Sequence, residues 1–147
     1  MCNRILQFAA LVTWHKLKRM RILIADDNDL VRGAIRNLLS TEPNCEVCGE
    51  AANGAQALER TRALAPELIL LDISMPGASG FEVARALRHE NPQIKILIMS
   101  QEDAVKLAPT ALEAGADGCV DKARLARDLV ETIRKFELRE ISDAAGN

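Results

Sequence analysis

Leu70 to Gly80 reads LLDISMPGASG, and the fold is decided by how this stretch is interpreted. Glu67 to Leu71 is a short apolar run of strand length that meets an acid, Asp72. Met75, Pro76, Gly77 and Gly80 then form a turn, and Phe81, Ala84 and Leu87 begin a helical repeat. An acid at the C-terminal tip of a buried strand, followed at once by a turn and a helix, is half of a strand–helix crossover. In open α/β sheets, ligands bind in the crevice outside such strand ends.

Working outward, the same unit recurs. Before it, Arg21 to Ala25 (RILIA) predicts a buried strand closed by Asp26, Asp27 and Asn28. Leu30, Val31, Ala34, Ile35, Leu38 and Leu39 recur at helical spacing until Pro43 and Asn44 break it. Cys45 to Glu50 predicts a second strand, and Asn53-Gly54 opens a second helix with Ala57, Leu58, Thr61 and Leu64 on one face. After the central unit, Ile94 to Met99 (IKILIM) predicts a fourth strand closed by Ser100. A fourth helix is expected from about Ala104 to Ala114, distorted or shortened by Pro109, which lacks a backbone donor. Gly115 and Gly118 frame a turn, and Cys119-Val120 is a short fifth strand followed by Asp121 and Lys122. Leu125, Leu129, Ile133 and Phe136 stripe a last amphipathic helix. Five alternating strand–helix units predict a parallel sheet covered on both faces, and right-handed crossovers make it doubly wound.

Composition agrees and narrows the function. The 147 residues fit one domain, with 48% hydrophobic and 27% charged residues. Three Phe, one Trp and no Tyr leave an aliphatic core. A formal net charge of -2 offers no basic patch for a phosphate backbone, which argues against direct nucleic-acid binding. Cys45 and Cys48 form a CxxC, but simple strand alternation points them to opposite faces and no nearby His completes a zinc set. They read as small apolar residues in a strand, and the cysteine usage suggests a reducing cytoplasm. Residues 1–19 read as an extension outside the fold. A docking or interfacial helix and an export signal are the alternatives, and the apolar run is too short for the roughly 20 residues of a membrane span. Residues 20–137 form the domain, and 138–147 read as a short polar tail.

In a parallel sheet the strand tips share one edge. Asp26 and Asp27 from strand one, Asp72 from strand three, Ser100 from strand four and Lys122 after strand five should therefore converge. Three carboxylates repel one another unless a cation joins them, and an oxygen-only set suits Mg²⁺. With the cation and Lys122 nearby, Asp72 could attack a phosphoryl group and form an acyl phosphate. Each part alone has an ordinary explanation: an acid pair caps a helix, a strand-final Ser forms a turn, a Lys is solvated. Their joint placement at the tips of four strands is what points to chemistry.

These motifs resemble the receiver domain of two-component response regulators, the CheY-like superfamily. The matching stretches are ILIADDN (22–28), LILLDISMPGASGFEVARALR (68–88), ILIMS (96–100) and GADGCVDK (115–122). The resemblance implies a flavodoxin-like (βα)5 fold with strand order 2-1-3-4-5. It implies Asp72 as phosphoacceptor from the phosphohistidine of a sensor histidine kinase or phosphotransfer protein. It implies Mg²⁺ held by Asp27, Asp72 and the backbone carbonyl of Ser74, with Asp26 acting through metal-bound water. Ser100 matches the switch hydroxyl, and Lys122 the lysine that pairs with the phosphoryl group. A downstream protein target, or a second copy in a homodimer, would read the face of the fourth helix, fifth strand and fifth helix.

Two departures bear on the relay. Cys119 stands where many receivers carry Tyr or Phe, and Ala123 follows Lys122 where many carry Pro. The second variant resembles receivers fused to a helix-turn-helix output domain. Only eleven residues follow Phe136 here, so a stand-alone receiver is expected. Two other classes compete: an interaction module that works without phosphorylation, and a phosphatase of the haloacid dehalogenase type. The phosphatase reading wants a second acid two residues after the nucleophile, where this chain has Ser74.

Overall fold

The computed structural model describes residues 4–7, 9–10 and 18–146. Among the described residues from Met20 onward, five strands alternate with five helices: β1 (Met20–Ala25), α1 (Asp29–Ser40), β2 (Cys45–Ala51), α2 (Gly54–Leu64), β3 (Leu68–Asp72), α3 (Gly80–Glu90), β4 (Lys95–Ser100), α4 (Ala104–Glu113), β5 (Gly118–Asp121) and α5 (Leu125–Gly146). A 3₁₀ turn, Lys122–Arg124, joins β5 to α5. The strands form one sheet in the order β2-β1-β3-β4-β5, every pairing parallel. This is the expected flavodoxin-like sheet, with β3 at its centre.

Side chains alternate across a strand, so each strand feeds two cores. Leu23, Ile69, Leu71, Ile96 and Ile98 face Ala57 of α2, Val83, Ala84 and Leu87 of α3, and Ala111 of α4. Ile22, Ile24, Leu68, Leu70, Leu97 and Met99 face Ile35 and Leu39 of α1 and Leu129, Ile133 and Phe136 of α5. Each fully buried Leu or Ile contributes about 1.5–3 kcal/mol relative to an exposed one. All five β3 residues are buried, which anchors the strand that presents Asp72.

Three local features differ from the sequence expectation. First, β1–β2 register passes from Ile22↔Val47 to Leu23↔Gly49, so Cys48 is the extra residue of a bulge. Alternation therefore does not fix the facing of Cys45 and Cys48. Cys45 is buried against the α1–α5 layer, while the half-buried Cys48 thiol donates to the Ile22 carbonyl at 3.4 Å. Burial, with the nearby Glu137 and Glu42 charges, pushes the Cys45 thiol up to about 11, which keeps it a small apolar group. Second, α4 ends at Glu113, one residue before the expected Ala114, with Pro109 inside it. Third, the chain beyond Phe136 is not a tail: α5 continues to Gly146, and Leu138 and Ile141 line a groove with Pro43 and Cys45. Ile133, Glu137 and Ile141 follow one another at i, i+4 spacing, so the stripe persists through a polar composition.

Of residues 1–19, those at 4–7 and 9–10 are helical, with Ile5 and Leu6 exposed; residues 1–3, 8 and 11–17 of that expected extension lie outside the described residues. Arg19 donates to the Cys45 carbonyl at 3.0 Å and Lys18 pairs with Glu67. No described helix is long and apolar enough to cross a membrane.

Candidate functional site

The strand tips meet at the C-terminal edge of the sheet, around a cleft of about 460 Å³. Asp26, Asp27, Asp72, Ser74, Ser100 and Lys122 all line it. The sequence places every one of these residues correctly at this edge.

Asp26 follows β1 directly. Its amide donates to the Ala51 carbonyl at 3.0 Å, and its Oδ1 accepts from the Asn28 amide at 2.8 Å. Asn28 then caps α1, its Oδ1 accepting from the Leu30 and Val31 amides. The short polar tip thus ends a strand, turns and starts a helix within three residues. Asp26 is 0% exposed, whereas Asp27 is exposed and turned to the cleft mouth.

Asp72 is the last residue of β3 and is 3% exposed. The loop after it folds back because Gly80 has no side chain: a Cβ there would overlap the Asp72 carbonyl. Gly77 takes a φ of +81°, a conformation that favours glycine. Ser79 and Glu82 close the loop with a capping box at the start of α3. The LDxxMPxxSG pattern is therefore a compact return that brings α3 against the strand end that carries Asp72.

Lys122 ties the cluster together. Its Nζ lies 2.6 Å from Asp26 Oδ2 and 3.0 Å from Asp72 Oδ1, with its side chain 12% exposed. Burial pushes the Asp72 carboxyl up and the Asp26 charge adds to this; hydrogen bonds from Lys122 and the Ser74 amide oppose it, and the net shift is upward. Burial alone would lower the Lys122 ammonium, but its bonds to Asp26 and Asp72 outweigh that and hold it above its ordinary value. Lys122 is therefore a fixed cation between two buried carboxyls.

Asp26, Asp27 and Asp72 offer oxygens that all lie within 4.8 Å of one another. Among the described residues no other His, Cys, Asp or Glu group is so arranged. Asp26 Oδ2 is buried and, apart from its ion pair with Lys122, receives no well-directed hydrogen bond. An oxygen-only acidic triad with an under-satisfied buried oxygen fits a small hard cation. The triad is of the kind that forms the Mg²⁺ site of receiver domains.

Ser100 ends β4 and is 4% exposed; its Oγ accepts from the Glu102 amide at 2.9 Å. That leaves its hydroxyl proton available to a further acceptor. Cys119 is half-buried on β5, packed against the α2–α4 side, and burial raises its thiol. The Lys122–Ala123 bond is trans, as is every described peptide bond, and Asp121 Oδ1 accepts from the Ala123 amide at 2.8 Å to start the 3₁₀ turn.

Sequence reasoning missed Arg32. Its guanidinium reaches back from α1 to the Asp26 carbonyl at 2.6 Å. The available signal was its position: a cation in the first turns of a helix opposes the macrodipole, so its charge must be committed elsewhere.

Comparison with known proteins agrees with this geometry. Residues 22–134 match the family model of the response regulator receiver domain. The chain is 35% identical over 116 residues to the response regulator protein VraR of Staphylococcus aureus, covering 79% of this chain and 56% of that protein. The signal receiver domain of the putative response regulator NarL from Mycobacterium tuberculosis superposes with a TM-score of 0.74 at 34% identity, covering 82% of this chain and 97% of that one. A DNA-binding response regulator of the LuxR family from Staphylococcus aureus superposes with a TM-score of 0.73 at 30% identity, covering 80% and 98%. The chain thus spans about half the length of the curated relatives it matches, and these do not support the expected stand-alone arrangement. With the matched segment running from β1 into α5 and the acids and lysine gathered at its sheet edge, the chain belongs to the response regulator receiver domain family, the phosphoacceptor modules of two-component signalling.

Proposed function

We propose that Asp72 is the phosphoacceptor of a Mg²⁺-dependent switch charged by a sensor histidine kinase or a phosphotransfer protein. The observation that carries this is the bridging of Asp26 and Asp72 by Lys122, at 2.6 and 3.0 Å, beside Asp27 at the sheet edge. An Asp72 carboxylate oxygen attacks phosphorus in line with the phosphohistidine. The new O–P bond replaces the N–P bond, and the imidazole leaves with its electron pair. Asp26, Asp27, Asp72 and the Ser74 backbone carbonyl are the groups that would hold Mg²⁺. When bound, the ion supplies positive charge to the acids and to the transferred phosphoryl oxygens. Lys122 pairs with the phosphoryl group once Asp72 has given up its free carboxylate oxygen. Ser100 donates its free hydroxyl proton to the same group.

The readout in this proposal is a population shift on the face of α4, β5 and α5, recognised by a downstream protein or a second copy. Exposed Val105 and Leu112 on α4 support an apolar contact there. A cytoplasmic location goes with this reading. The test is incubation with acetyl phosphate and Mg²⁺ followed by intact-mass measurement. One phosphoryl gain is expected, lost on chelation and lost in Asp72→Asn. A gain that survives Asp72→Asn sinks the assignment. Partner binding that ignores both phosphorylation and Asp72→Asn would instead support the phosphorylation-independent module.

A further inference from the structure

We infer that Arg32 is a positioning residue for the divalent cation, acting through the backbone that joins Asp26 to Asp27. This rests on the assignment of the acidic triad as a Mg²⁺ site.

The Asp26 carbonyl belongs to the peptide plane that leads into Asp27. That plane is held on one side by Arg32 Nη1, which donates to the carbonyl at 2.6 Å. On the other side of Asp26, the amide is held by the Ala51 carbonyl of β2. Asp27 is exposed, so its own side chain is not positioned by burial. The direction in which its carboxylate leaves the backbone is therefore set by the plane that Arg32 grips.

The charge of Arg32 is occupied elsewhere. Its guanidinium pairs with Asp29 one turn earlier and with Glu50 of β2 at 3.3 Å, and Glu50 also receives Arg36 at 2.5 Å. The Arg32 side chain is 14% exposed. A free guanidinium so near an acid pair would neutralise it and compete with a cation. Clamped by two other acids, this one offers the site a directed N–H instead. Arg32 also ties β1, β2 and α1 together at the height of the triad. Lysine cannot reproduce the arrangement, because one ammonium lacks the planar fork that reaches a carbonyl and two carboxylates together.

Groups that orient metal ligands change affinity when removed, by about 10–100-fold for outer partners of ligating residues. The test is titration of the full chain with Mn²⁺ followed by the EPR signal of the free ion, with Mg²⁺ as competitor. Arg32→Met should weaken binding about tenfold, near the lower end of that range. Arg32→Lys should recover only part of it. Under acetyl phosphate, the Mg²⁺ concentration for half-maximal phosphorylation should rise in Arg32→Met while the rate at saturating Mg²⁺ stays near wild type. A merely structural role would lower the melting temperature and leave cation affinity alone, and that result overturns the inference. If Arg32→Met does not fold, Glu50→Gln releases one clamp and should still weaken Mn²⁺ binding; unchanged affinity there also overturns it. Wild-type protein that binds no Mn²⁺ would instead refute the metal site itself.

Discussion

Asp72 sits where its charge is least welcome. Burial raises its carboxyl, and the neighbouring Asp26 charge raises it further. A carboxyl raised in the folded state binds its proton more tightly there than in the unfolded chain. Stability is then fullest below the ordinary carboxylate range and falls as pH rises through the raised value. Asp72→Asn should therefore stabilise the protein at neutral pH in the absence of divalent ions, by about 1 kcal/mol or roughly 3 °C. The gain should vanish near pH 3, where wild-type Asp72 is protonated as well. Melting curves in chelator at pH 7 and pH 3 check this; a loss of stability at pH 7 would show that the ion pair with Lys122 outweighs the burial. The residues of the cluster were legible in the sequence because strand ends in a parallel sheet share an edge, so Asp26, Asp27, Asp72, Ser100 and Lys122 needed only the order of elements. Their unequal burial was not. Nothing in an Asp-Asp pair says which acid is enclosed and which faces water, since that depends on the turn made by Asn28 and on Arg32 reaching back over it.

The elements were legible wherever an apolar period meets a breaker, and less so elsewhere. The β2 bulge at Cys48 escaped because periodicity assumes an unbroken ladder, and its register is set by pairing with β1. The extension of α5 escaped because residues 138–147 are polar, while helix continuation there depends on a partner surface supplied by the β2 entry loop. Arg134 pairs with Glu42 at 3.3 Å across that junction. Glu137 stands in the same groove, its carboxyl raised by burial and by the Glu140 and Glu42 charges, against Arg134 and a bond to Asn44. Its ionisation costs the folded state, so the cost is absent below the ordinary Glu range near pH 4.3 and grows as pH rises through the raised value. Glu137→Gln should raise the melting temperature by about 1–2 °C at pH 7 and by nothing at pH 3.5. A melting temperature lowered at pH 7 would mean that the carboxylate serves the Arg134 pair more than it suffers from its acidic neighbours.

Across the whole molecule, the proposed function asks one phosphoryl group to bias a face built from α4, β5 and α5. Moving a two-state equilibrium from about 1:99 to 99:1 takes roughly 5.5 kcal/mol of differential interaction. A hydrogen bond to a charged group is worth about 1.5–3 kcal/mol, so the Ser100 hydroxyl alone cannot supply the shift. Lys122 is the other contributor: it begins β5's exit into α5 and now spans Asp26 and Asp72, so pairing with a phosphoryl group would redraw contacts at the root of that face. Cys119, with less surface than an aromatic ring, adds little to the balance. The relay should accordingly be divided between Ser100 and Lys122. Hydrogen exchange with and without beryllofluoride and Mg²⁺ can read it. Wild type should change protection over residues 101–124. Ser100→Ala should still bind beryllofluoride, because Asp72 and the acid pair are intact, yet show a reduced change over the same residues; the Glu102 amide it orphans lies at the exposed loop start, so the fold should survive. Lys122→Met should likewise show a reduced change, keeping the share that Ser100 carries. A full response in Ser100→Ala would place the whole relay on Lys122, and a complete loss would show that the hydroxyl gates the shift despite its small share of the energy.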